Sequence, residues 1–186
     1  MMKLYMLKIG ATPRGRLIEQ HDVLFGLADD ISELVTVVDK SWVEAAGIWH
    51  LDAYRTVTYV DGFDVSVVPK SDALASDYQL FFVNLGGYKP NHFEEFHHKM
   101  LIIAKSMNEA TAIAKKSDFY REFNIEGTSA TSHIDDKHSV MIDEIYAVSD
   151  VLAGHHGNLS LQITPSVCHQ PDEMMIGYFP RKSLIV

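Results

Sequence analysis

Arg16, Glu19, His21 and Asp22 crowd a cation, two carboxylates and an imidazole into a single short stretch. Arginine could bind an anion, and an imidazole changes charge near neutral pH. A glutamate beside a histidine suits either general acid–base work or a metal. If a strand begins at Val23, Glu19 lies in a loop and His21 near the strand's edge, where a ligand could reach both. The bland alternative is that Glu19 and His21 satisfy backbone groups where the loop enters the sheet, with Arg16 paired to a carboxylate. The Glu and His recur downstream as Glu95 and His97 while their neighbours change. That pattern favours a fold role over a catalytic one.

The chain has 10 histidines, which raises the question of a metal. His97-His98, His133 with His138, and His155-His156 are the dense spots. Neighbours on a strand face opposite sides, so His97 and His98 do not readily share an ion. His133, Asp135, Asp136 and His138 offer mixed ligands, but at no spacing typical of zinc. No metal and no cofactor is expected. Cys168 beside His169 reads as a structural cysteine, because nothing near it lowers a thiol pKa. There is no phosphate-binding loop, dinucleotide fingerprint or nucleophile elbow.

The elements that must position these residues come in two similar sets. Moved 76 positions along the chain, residues 4–40 place Leu4, Gly10, Glu19, His21, Ala28, Glu33 and Lys40 on Leu80, Gly86, Glu95, His97, Ala104, Glu109 and Lys116. Chance would give about two such identities. Leu4–Ile9 and Leu80–Leu85 are apolar runs ending at glycine, as buried strands do, and Val23–Ala28 and Met100–Ala104 are second strands. Asp30-Ile31-Ser32-Glu33 and Ser106-Met107-Asn108-Glu109 resemble capping boxes that open a helix in each set. The first helix is expected to end near Ala45–Gly47. Asp61-Gly62, between His50–Val60 and Phe63–Val68, marks a type I′ hairpin. Leu51–Val57 resembles Ile142–Val148 at an offset of 91, and Val65–Pro69 resembles Leu161–Pro165 at an offset of 96. A competing alignment pairs His50-Leu51-Asp52 with His133-Ile134-Asp135. The longer match is preferred because it leaves a closing strand in both copies, with extra residues around Phe123–Lys137 and Leu152–Asn158.

The expectation is an α+β fold made by tandem duplication of a strand-strand-helix-strand-strand unit, each antiparallel sheet carrying a helix on one face. The first repeat spans 1–70, a linker 71–78, the second repeat 79–167, and a tail 168–186 supplies an edge strand through Met174–Phe179.

The run from Gly15 through Phe25, with its Glu19-Gln20-His21-Asp22 core, resembles a small bacterial family, the domain of unknown function 1543. The likeness extends through Trp42, Asp52 and Val60-Asp61-Gly62-Phe63. In the second copy it continues at His133–Lys137 and at Asp143-Glu144-Ile145-Tyr146. It implies one or two copies of the domain per chain and no particular chemistry. The second copy departs from the motif, with His92, Phe96 and His98 aligned to Arg16, Gln20 and Asp22.

A net charge of −9 argues against nucleic-acid and anionic-membrane partners. One cysteine in 186 residues forms no intrachain disulfide, and the N-terminus lacks a signal peptide's apolar stretch. A bacterial cytoplasmic protein is expected. Its aromatic residues exceed what one small core needs, which leaves some for a homodimer contact or a ligand groove. The leading reading is a non-catalytic binding or assembly module, associated as a homodimer. The alternative is an enzyme or small-molecule-binding protein, its ligand unknown, that uses Arg16, Glu19, His21 and Asp22, with Glu95 and His97 as their pseudo-equivalents.

Overall fold

The computed structural model describes residues 1–89, 91–122, 140–152, 157–168 and 170–185. The sequence-based readings at Phe123–Lys137, His138, His155-His156 and His169 lie outside the described residues.

Along the chain run β1 (Lys3–Ala11), β2 (Gln20–Ala28), α1 (Val35–Ser41), β3 (His50–Thr56), β4 (Tyr59–Val60), β5 (Phe63–Pro69), β6 (Gln79–Tyr88), β7 (Glu95–Ala104), α2 (Met107–Ala114), α3 (Asp118–Glu122), β8 (Val140–Ala147), α4 (Val148–Leu152), β9 (Leu159–Pro165) and β10 (Met175–Pro180). These strands make three antiparallel sheets, ordered β10-β3-β1-β2, β4-β5-β9 and β7-β6-β8, so the fold is α+β. No helix among the described residues is long and apolar enough to cross a membrane.

The compact units are not successive blocks of chain. One comprises 1–75 with 151–186, the other 76–150. The difference from the sequence-based boundaries arises at the late strands. β9 pairs with β5 rather than with β8, and β10 adds to the edge of β3.

In the first unit β1 lies between β2 and β3. Alternate side chains point to opposite faces. Tyr5, Leu7, Ile9 and Ala11 pack with Leu34, Val35, Val38, Ala45, Trp49 and Leu51. Each large apolar side chain so buried stabilises the fold by about 1.5–3 kcal/mol. Lys8 and Gly10 are left on the other face of the sheet.

The helical segment is less regular than its spacing suggests. Asp30 accepts from the Ser32 N–H at 2.9 Å and opens a 3-10 turn, Ile31–Leu34, before α1 begins. α1 ends at Ser41, and Trp42 leaves helical geometry. Three valines in this stretch lower its helix propensity. Asp39 secures its end, accepting from Gly47 N–H, Trp49 Nε1 and the Arg181 guanidinium.

The second unit has the same central arrangement, with β6 between β7 and β8. Phe81, Val83, Leu85, Ile102, Ala104 and Ala147 pack with Ala110 and Ala114 of α2. Ser106 caps that helix by accepting from Glu109 N–H. Glu109 Oε2 reaches back to Lys105 N–H at 2.8 Å, one residue before the expected partner.

Asp61 and Gly62 both have positive φ, 51° and 88°, as a type I′ turn requires. The strand expected over His50–Val60 is broken after Thr56. Thr58 N and Oγ1 donate to Asp172, at 3.0 and 2.6 Å, and the hairpin that follows belongs to the sheet containing β9.

Candidate functional site

Gly10 is the floor of a polar cluster. It pairs with His21 on β2 and with His50 on β3, so both imidazoles rise from the sheet face opposite α1. Glu19 immediately precedes β2 and joins them. The fourth member, Asp52, is placed by a β-bulge: Lys8 pairs with Ala53 and Ile9 with Leu51, leaving Asp52 as the extra residue. Bulges commonly re-aim a side chain in this way.

The four groups close a ring. His21 Nε2 lies 3.3 Å from Glu19 Oε2 and 3.0 Å from Asp52 Oδ2. His50 Nε2 lies 3.2 Å from Glu19 Oε1 and 3.2 Å from Asp52 Oδ1. Lys8 Nζ stands 3.6 Å from Asp52 Oδ2. The His50 side chain is 7% exposed, its ring covered by Tyr178 at 4.3 Å between centroids. A Cβ on Gly10 would sit 2.5 Å from His50 Nε2, so only glycine lets that ring lean inward.

The four contacts are imidazole–carboxylate ion pairs when the histidines are protonated. Among the described residues Asp52 Oδ2, which is buried, has no hydrogen-bond partner, although His21 Nε2 is 3.0 Å away. Each carboxylate meets the two imidazoles through different oxygens: Glu19 Oε2 and Asp52 Oδ2 face His21, and Glu19 Oε1 and Asp52 Oδ1 face His50.

The sheet of the second unit repeats the plan. Gly86 pairs with His97, Asn84 pairs with Glu144, and Leu85 with Ile142, so Asp143 is the bulged residue. His97 Nε2 lies 3.3 Å from Asp143 Oδ2 and 3.8 Å from Glu95 Oε2. Glu95, His97 and Asp143 each present a ligand atom within 4.8 Å of the others. A Cβ on Gly86 would collide with Asp143 and would lie 2.7 Å from Glu95 Oε1. Met141 stands opposite Gly86, where His50 stands opposite Gly10. Burial and, after it, the negative charge of Glu95 raise the pKa of Asp143; His97 opposes them.

The candidates read from sequence separate into two places. Glu19 and His21 meet at the ring, and their partners are side chains rather than the backbone groups expected. Arg16 is elsewhere: with Pro13, Arg14, Gly15, Gln20, Trp42 and Glu44 it lines an open cleft of about 370 Å³ on the α1 side of the sheet. Among the described residues it makes no ion pair. Asp22 pairs in register with Ile9, facing the same side, and its Oδ1 accepts from Val23 N–H at 2.7 Å. His50, Asp52 and Asp143 complete the two clusters and were missed as site residues. The alignment of Leu51–Val57 with Ile142–Val148 already held Asp52 over Asp143, which was the available signal.

Residues 16–67 match the sequence profile of a domain of unknown function, DUF1543, a span that includes Glu19, His21, His50 and Asp52. The fold is similar to that of protein Il1583 from Idiomarina loihiensis, seen in a crystal structure. The two share 20% identity and a TM-score of 0.57 over 97% of this chain and 98% of that one. At that identity the likeness is one of fold. No curated protein sequence matches the chain.

Proposed function

We propose that the chain is a binding module for a divalent transition-metal ion, held in the first unit by Glu19, His21, His50 and Asp52. The carrying observation is the ring of contacts at 3.0–3.3 Å whose buried Asp52 oxygen accepts no hydrogen bond. Two imidazoles with two carboxylates suit Zn²⁺ or a similar borderline ion. This replaces the metal-free expectation, which rested on spacing along the chain. Spacing could not register ligands drawn from three strands. The alternative enzyme built on Arg16, Glu19 and His21 loses support because Arg16 lines the other side of the sheet.

The same proposal takes the chain to be a tandem duplication of the DUF1543 domain. It is supported by glycines, histidines and bulged aspartates in matching register on β1, β2, β3 and on β6, β7, β8. β5 and β9 add to it. They pair from Phe63↔Pro165 to Pro69↔Leu159, centred on Ser66↔Gln162, the two residues matched at the offset of 96. Two copies of one strand meeting about a local dyad would give that register.

The test is calorimetric titration of chelator-treated protein with Zn²⁺. One equivalent is expected at this site, weakened by more than about 100-fold in His50→Ala, since even secondary groups at metal sites cost 10–100-fold. Equal binding by His50→Ala would reject the site.

A further inference from the structure

The cluster over Gly86 differs from the one over Gly10 in a way that bears on which ion it would prefer. Glu95, His97 and Asp143 supply two carboxylates and one imidazole, and the register position held by His50 in the first unit is occupied by Met141. The ligand atoms lie at 3.3 and 3.8 Å from His97 Nε2 and within 4.8 Å of one another. A six-coordinate ion with ligands at about 2.1–2.4 Å separates neighbours by about 3.0–3.4 Å and opposite ligands by about 4.2–4.8 Å.

Asn84 is an independent observation on the same sheet face. It lies two residues before Gly86 on β6, and its register partner Glu144 follows Asp143 in the chain. The residue is 8% exposed. Its Nδ2 donates to Glu144 Oε2 at 2.7 Å, while its Oδ1 is buried with no hydrogen-bond partner among the described residues. A buried carbonyl oxygen without a donor is costly unless something positive or protic meets it. The missing Cβ at Gly86 keeps open the space between Glu95 and Asp143.

We propose that the second unit carries its own cation site, formed by Glu95, His97 and Asp143, and that it takes an oxygen-preferring divalent ion such as Mn²⁺. Oxygen-rich ligand sets suit Mn²⁺, whereas paired imidazoles suit Zn²⁺. The inference concerns a site separate from the ring over Gly10 and does not require that ring to bind metal.

The experiment follows free Mn²⁺ by its paramagnetic resonance signal in the full chain carrying His50→Ala, which disables the first site. One Mn²⁺ per chain is expected, and Asp143→Asn or His97→Gln added to that background should weaken it by at least about tenfold. Circular dichroism melts identify variants that remain folded, and the two substitutions serve as alternates for each other. Mn²⁺ uptake indifferent to both, or absent from the His50→Ala chain, would overturn the proposal. Zn²⁺ binding equal in wild type and the His50→Ala chain, with Mn²⁺ binding intact, would remove the first-unit reading and leave this one standing.

Discussion

Asp52 Oδ2 lies 3.0 Å from His21 Nε2, is buried, and yet accepts no hydrogen bond. A structural ion pair would align the N–H with the oxygen, because an unmet buried acceptor costs about 1–3 kcal/mol. Lys8 Nζ, 3.6 Å from the same oxygen, supplies one positive charge there, and the proposed ion would meet the carboxylate at closer range.

Metal should therefore act on stability. An ion that binds only the folded chain stabilises it by about 2.7 kcal/mol at a concentration 100 times its Kd. Thermal melts of chelator-treated protein are expected to shift upward with Zn²⁺ and to return with EDTA. The His50→Ala chain should show no Zn²⁺ shift. Superimposable wild-type melts with and without Zn²⁺ would count against the first-unit site.

Two glycines on the first sheet should respond differently to the same change. Gly10→Ala places a Cβ against His50 Nε2, so Zn²⁺ affinity is expected to fall by at least about tenfold, the scale at which disturbed ligand orientation acts. Gly26→Ala instead places a Cβ 2.6 Å from Leu34 Cδ2 in the α1 core. That overpacking is expected to cost about 1–3 kcal/mol in a denaturant melt while Zn²⁺ binding survives. A Gly10→Ala chain with undiminished affinity would show that the ring over Gly10 is not the site.

Arg16→Ala separates the two readings of the sequence motif. Arg16 lines the cleft beside Trp42 and Glu44, away from the ring, so Zn²⁺ affinity in calorimetry is expected to stay within about twofold, while Glu19→Gln loses most of it. Parallel losses would restore Arg16 to the same site as Glu19.

The Asp39–Arg181 pair gives an acid signature. Hydrogen bonding from the Arg181 guanidinium, with help from Trp49 and Gly47, lowers the Asp39 pKa to about 2. A carboxyl depressed on folding contributes stability above its unfolded pKa near 3.9, and that contribution disappears as pH falls through about 2. Asp39→Asn should therefore destabilise the protein at pH 7, with the gap from wild type narrowing between about pH 4 and pH 2. The check is a series of urea melts across that range; a gap that stays constant would remove the pair from the account.

Local signals in the sequence were read more reliably than partners in space. Asp61-Gly62 carries its turn geometry in two residues, and the apolar runs of β1 and β6 define their own burial. Asp30 was read as a cap, but the regularity of the helix after it was not legible, since Val35, Val37 and Val38 fit its spacing while lowering its propensity. Strand pairing was harder. β5 and β9 have the alternation of any half-buried strand, and nothing in that pattern names the neighbour. The site suffered from the same gap. Glu19 and His21 stood out because they recur, whereas His50 and Asp52 lie about thirty residues away on β3. Asp52 joins the ring only through a bulge that no periodicity announces.

Anomalous X-ray scattering at the zinc edge, from crystals of the full chain grown with one equivalent of Zn²⁺, tests the central claim most directly. The account expects one strong peak about 2.0–2.2 Å from both His21 Nε2 and His50 Nε2, with a Glu19 and an Asp52 oxygen completing the shell. A zinc peak placed elsewhere, with the ring over Gly10 left as four side chains at 3.0–3.3 Å, would contradict it.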